Sequence, residues 1–76
     1  MNGWRNYQTW NVALWIANDE GLNQLATETG NYARFLEKIR ELNPDSAIGF
    51  ETPDGVSWKD SAIDIEQLNR TIFQGE

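Results

Sequence analysis

Apolar residues recur at helical spacing through most of this chain, and charged residues fill the positions between them. The clearest case is 31–42. Tyr32, Phe35, Leu36, Ile39 and Leu42 fall at i, i+3, i+4, i+7 and i+10, one stripe on an α-helix. Arg34, Glu37, Lys38, Arg40 and Glu41 alternate in sign on the other side and read as a solvated face. Asn31 can cap the start by accepting a free backbone N–H. Asn43-Pro44 ends the helix, because the residue before proline avoids helical angles. A weaker helix is predicted at 19–28, where Leu22, Leu25 and Ala26 share a face. Asp19 and Glu20 sit in its first turn, Gly30 suits its stop, and Gly21 weakens its interior.

The opening stretch predicts a helix over 8–18 with two apolar stripes, Trp10-Ala13-Leu14-Ala17 and Val12-Trp15-Ile16. Apolar on two sides, it is expected to be the central helix, packed by neighbours all round. The last helix is predicted at 64–74, with Ile65, Leu68, Ile72 and Phe73 in line and Asp64 with Gln67 resembling a capping box. Between the third and fourth helices runs "SAIGFETPDGVSW". Ile48, Phe50, Val56 and Trp58 suggest two short extended pieces, and Pro53-Asp54-Gly55 is good turn chemistry. A β-hairpin and an ordered loop around 47–58 are both open. The predicted fold is therefore mainly α: one compact domain, 1–76, of about four helices with a loop or short hairpin. Its core is expected to centre on Leu14, Trp15, Phe35, Leu36, Ile39 and Leu68.

Size sharpens this picture. A domain of 76 residues has a marginal core. With no cysteine there is no disulfide, and with no histidine the commonest metal ligand and neutral-pH base are gone. Bulk is the remaining device: aromatic residues make 12% of the chain. Four of them, Trp4, Tyr7, Trp10 and Trp15, crowd the start among Asn6, Thr9 and Asn11. The structural reading makes Asn6 and Thr9 braces of the helix start and Asn11 a buried tie to a neighbouring backbone or an indole N–H. The functional reading makes the cluster a concave aromatic-amide patch that grips a ligand.

Net charge is −6, and the whole excess falls in 41–66, where seven carboxylates face Lys59 alone. That balance opposes binding to phosphate backbones and favours basic partners. No apolar run approaches the ~20 residues that span a bilayer, and no signal peptide opens the chain, so a cytoplasmic protein is expected. Ser46, Ser57 and Ser61 have no histidine to activate them, and no phosphate-binding glycine loop is present. The acids at 45–66 could hold Ca²⁺ or Mg²⁺, but neither "NDEG" nor "PDG" has the alternating ligands of an EF-hand. No catalytic residue, metal or cofactor is assigned, and a non-enzymatic protein is expected.

Residues 6–15, "NYQTWNVALW", together with "TPDGV" at 52–56 and the acidic "DIEQL" at 64–68, carry a resemblance. The chain resembles a family of small uncharacterised proteins of bacteriophages, bacteria and archaea. They pair an Asn-Tyr-x-Thr-Trp-Asn-Val-Ala-Leu-Trp opening with a later Thr-Pro-Asp-Gly-Val segment. The resemblance brings no activity and no catalytic residue. Its phage association implies an accessory or host-directed role.

Two functional classes follow. The first is a small acidic protein-binding module that modulates a larger host protein with a basic or mixed surface. Its expected site is Trp58 as anchor with Glu51, Asp54 and Asp60 as steering charges; the competing reading has Trp58 plugging the core. The second is a nucleic-acid-associated accessory, with Arg5 between Trp4 and Tyr7 as a stacking platform. A variant of the first has the acidic 41–66 region mimic a DNA backbone toward a DNA-binding protein.

Overall fold

The computed structural model describes residues 3–42 and 51–73. Four helices appear among them: α1 (Tyr7–Asn18), α2 (Glu20–Thr29), α3 (Tyr32–Leu42) and α4 (Ile65–Leu68), the last continuing as a π-helical stretch, Asn69–Phe73. The mainly α architecture read from periodicity is the architecture found. Ile48, Phe50 and the side chain of Leu42 lie outside the described residues.

Short polar side chains start the helices. Asn6 accepts from the Thr9 N–H at 2.9 Å, Asp19 from the Leu22 N–H at 3.0 Å, Asn31 from the Arg34 N–H at 2.9 Å and Asp64 from the Gln67 N–H at 2.9 Å. Each satisfies a donor that the first turn leaves without an intrahelical partner. Asp19 alone separates α1 from α2, so the chain turns there with little slack. Gly30 closes α2 in the left-handed region, at φ 81°, and donates to the Ala26 carbonyl at 3.0 Å.

The face α1 buries is Thr9, Val12, Ala13 and Ile16. These positions lie at i, i+3, i+4 and i+7, against α2, α4 and the π stretch. The expectation that α1 is packed all round is corrected. Leu14 is half-buried and Ala17 exposed, because Tyr7, Trp10, Leu14 and Ala17 form a flank that points away from those neighbours. Leu36 and Trp15 are likewise half-buried and pack on the rim of the core. Phe35, Ile39 and Leu68 lie fully inside, as predicted.

Rings fill the middle. Phe35 stacks on Tyr32 at 5.8 Å between centroids and meets Trp58 and Phe73 edge-on at 5.6 and 5.7 Å. Edge-on pairs set the positive ring edge against the negative ring face. The Tyr32 hydroxyl donates to the Trp58 carbonyl at 2.7 Å, so this polar group is paired inside the core. Burial pushes that hydroxyl well above its ordinary titration range.

The final helix departs from its predicted form. After one α turn the backbone widens, and Phe73 follows Leu68 by five residues, the period of a π turn. Leu68 is buried and Phe73 packs against the core, whereas Ile65 stands 45% exposed. The capping box is half-made. Asp64 caps Gln67, but the Gln67 side chain reaches the start of the chain instead, accepting from Arg5 N–H at 2.9 Å and donating to the Gly3 carbonyl at 2.6 Å. The Asp64 N–H is taken by the Thr9 hydroxyl at 2.8 Å, and Asn6 donates to the Ala62 carbonyl at 2.6 Å. A polar seam thus joins the start of α1 to the start of α4.

Candidate functional site

Residues 51–58 form the irregular wall beside the helices. Thr52 and Val56 are joined by Thr52 N–H to the Val56 carbonyl at 2.8 Å, and the Gly55 N–H returns to the Thr52 carbonyl at 2.8 Å. Gly55 has φ 88°, so this three-residue loop ends in the left-handed position that glycine supplies. A single antiparallel bridge, Glu51 to Ser57, is the extent of strand pairing among the described residues. The 47–58 region is thus a tight turn closed by one bridge where it is described.

The apex of the turn docks on α1. Asn11 and Trp15, one helical turn apart, both donate to one oxygen of Asp54, from Nδ2 at 2.8 Å and from the indole at 2.9 Å. Asn11 Oδ1 accepts from the Thr52 hydroxyl at 2.7 Å, and that hydroxyl accepts from the Val56 N–H at 3.2 Å. Asn11 is 0% exposed and Thr52 is 3% exposed, so the network is sealed on the helix side. Its carboxylate lies at the surface, where the bonds from Asn11 and then Trp15 hold Asp54 below the usual aspartate range. Asn11 is the structural tie expected of it, but its partners are two side chains of the turn.

The four residues expected to bind a partner sit in different settings. Trp58 is 1% exposed, inside the aromatic core, which is the competing reading of that residue. It is not a protruding anchor, because Phe35 and Tyr32 enclose it. Asp54 fastens the turn to α1. Asp60 is half-buried and accepts from the Ala62 N–H at 2.8 Å, a local turn bond. Glu51 is exposed.

What the fold does assemble is a groove between α3 and the 51–59 segment, with a volume of about 220 Å³. Leu36, Ile39 and Trp58 give it an apolar floor, and Arg40, Lys59 and Glu51 stand at its rim. The α3 charges are exposed, as a solvated face requires, and Arg40 among them also borders this groove with Lys59. The available signal was adjacency: each cation follows a core residue, Ile39 or Trp58, and so sits at the edge of the core. Elsewhere, Trp4 and Trp15 pack on the core while Tyr7 is 43% exposed beside Trp10, at 5.7 Å between ring centroids. The opening cluster is thus divided, with Trp4 and Trp15 at the core edge and Tyr7 and Trp10 on the outer flank. Among the described residues no group of three acids could hold a metal ion, and no helix is long and apolar enough to cross a membrane.

The profile of a family of unknown function (DUF7249) matches residues 1–74. The chain belongs to this family. The match takes in both the α1 opening and the turn that docks on it. No curated protein and no solved structure matches the chain.

Proposed function

We propose that the chain is a small non-enzymatic protein-binding module that takes a segment of a larger protein into the groove between α3 and the 51–59 turn. The groove carries this reading: it is an apolar floor left open at the surface between charged rims. Its size favours a side chain over a cofactor. Small-molecule pockets are usually ~300–1,000 Å³, and a cavity of ~150 Å³ already admits a benzene ring. A volume of about 220 Å³ therefore suits one aromatic or branched side chain.

The rim has both signs of charge, Arg40 and Lys59 with Glu51, which fits a partner with a mixed surface. The resemblance of the α1 motif to phage and prokaryotic proteins supports an accessory role in the cytoplasm, directed at a host protein. The test is position-specific photo-crosslinking in cells. A photoreactive residue at Glu51 should capture a protein that the same group at Gln24, on exposed α2, does not. Capture from Gln24 alone overturns the groove as the docking site. Capture of nucleic acid from Tyr7 would move the site to the Arg5–Tyr7 end and refute the protein-binding reading.

A further inference from the structure

We infer that the groove selects an acidic segment of its partner, with one apolar side chain inserted and a carboxylate side chain on either flank. This rests on the groove being the docking site and adds the chemistry of what docks. The apolar half follows from the floor, where half-buried Leu36 gives the open carbon surface above the buried Ile39 and Trp58. The acidic half follows from the rim. In a chain of net charge −6, two of the six cations stand at this one groove. Both are exposed. Lys38 and Arg70 are engaged by Glu41 and Glu66 at 3.6 and 3.9 Å, but among the described residues Arg40 and Lys59 have no ion pair.

Arg40 comes from α3 and Lys59 from the 51–59 segment. Two separated cations match two carboxylates spaced around the inserted residue better than a single chain-terminal carboxylate. Glu51 opposes this and the net charge opposes it too. The net charge acts from a distance and is screened beyond ~8 Å at physiological salt, whereas the rim acts at contact. Glu51 leaves the rim with one excess positive charge, so its removal should tighten binding.

The experiment follows amide and indole NMR signals of the ¹⁵N-labelled chain against four blocked peptides. These are Ac-Gly-Asp-Phe-Asp-Gly-amide, its Asn-for-Asp and Lys-for-Asp forms, and Ac-Gly-Gly-Phe with a free terminal carboxylate. The acidic peptide should shift Leu36, Arg40 and the Trp58 indole saturably, binding about fivefold tighter than the Asn form, as two exposed ion pairs allow. Arg40→Gln with Lys59→Gln should bring those two peptides level without lowering the melting temperature, and Glu51→Gln should tighten the acidic peptide about twofold. Equal binding of the acidic and Asn forms, or preference for the Lys form, overturns the charge assignment and leaves the groove as a docking site. Preference for the terminal carboxylate overturns the two-flank arrangement. If no peptide shifts the groove signals, both the inference and the docking site fail.

Discussion

Replacing Asn11 by alanine tests the clamp between the turn and α1. The substitution removes the acceptor for the Thr52 hydroxyl and one of the two donors to Asp54. The two losses differ in size. Thr52 is 3% exposed, so its hydroxyl proton is left without a partner away from water, a cost of about 1–3 kcal/mol. Asp54 is exposed and keeps the Trp15 indole, so water replaces the lost donor at little cost. A total near 2 kcal/mol follows, against about 4–11 kcal/mol for a domain of this length. For a chain this small, each kcal/mol shifts the midpoint by about 4–8 °C, so a fall of ~8–16 °C is expected. Thermal unfolding followed by circular dichroism measures it. Asn11→Ala combined with Thr52→Val should lose less than the sum of the two single changes, because the second removes the stranded hydroxyl. A midpoint that moves by less than about 2 °C, or strict additivity in the double variant, would refute the network as a stabilising tie.

Ile39→Ala, at a fully buried site, should cost about 2–5 kcal/mol, and Leu36→Ala measurably less because Leu36 is half-buried; urea unfolding of both ranks them. Trp58→Ala should remove about 3–5 kcal/mol and leave much of the chain unfolded at 37 °C by circular dichroism; a folded variant would contradict its place in the core. Burial raises the Tyr32 hydroxyl above its ordinary value of 10.0, so the stability it contributes is present below that pH and lost as pH rises beyond it. Tyr32→Phe is destabilised at pH 8 by the lost bond to the Trp58 carbonyl, and its deficit should shrink as pH climbs past 10.0 in alkaline unfolding curves. Asp54 lies below its ordinary 3.8, so its contribution is present above that pH and lost as pH falls through its lowered range; Asp54→Asn should flatten that part of the acid unfolding curve.

What the sequence reveals follows the range of the forces involved. Helix α3 was legible to within a residue because its stripe and its cap are set by neighbours three and four positions away. Asp19 and Gly30 mark the ends of α2 for the same local reason. The Leu14 side of α1 misled because periodicity shows that a helix has apolar flanks, and only the positions of the other elements show which is covered. Asp54 looked like a free surface charge because both its donors lie about forty residues earlier, at separations of 43 and 39. Trp58 was undecidable from Lys59 and Asp60 beside it, since its burial is set by Phe35 and Tyr32. The π stretch had no sequence signature, and Ile65, in the turn before it, is exposed although the stripe placed it inside. The groove was illegible as a unit, because its two walls come from separate parts of the chain.

The polar seam between the first and fourth helices bears on how the chain acquires its shape during synthesis. Its bonds join residues 55 to 64 positions apart. A nascent chain that has emerged only as far as α3 lacks the groups that complete the start of α1: Ala62, Asp64 and Gln67 have yet to appear. The face of Tyr32 and Phe35 also waits for Phe73. Until then that surface is uncovered, and a long loop must close before the last contacts form, which is the slow kind of ordering. The order of emergence from the ribosome thus makes the last contacts of α1 and α3 contingent on residues 62–73.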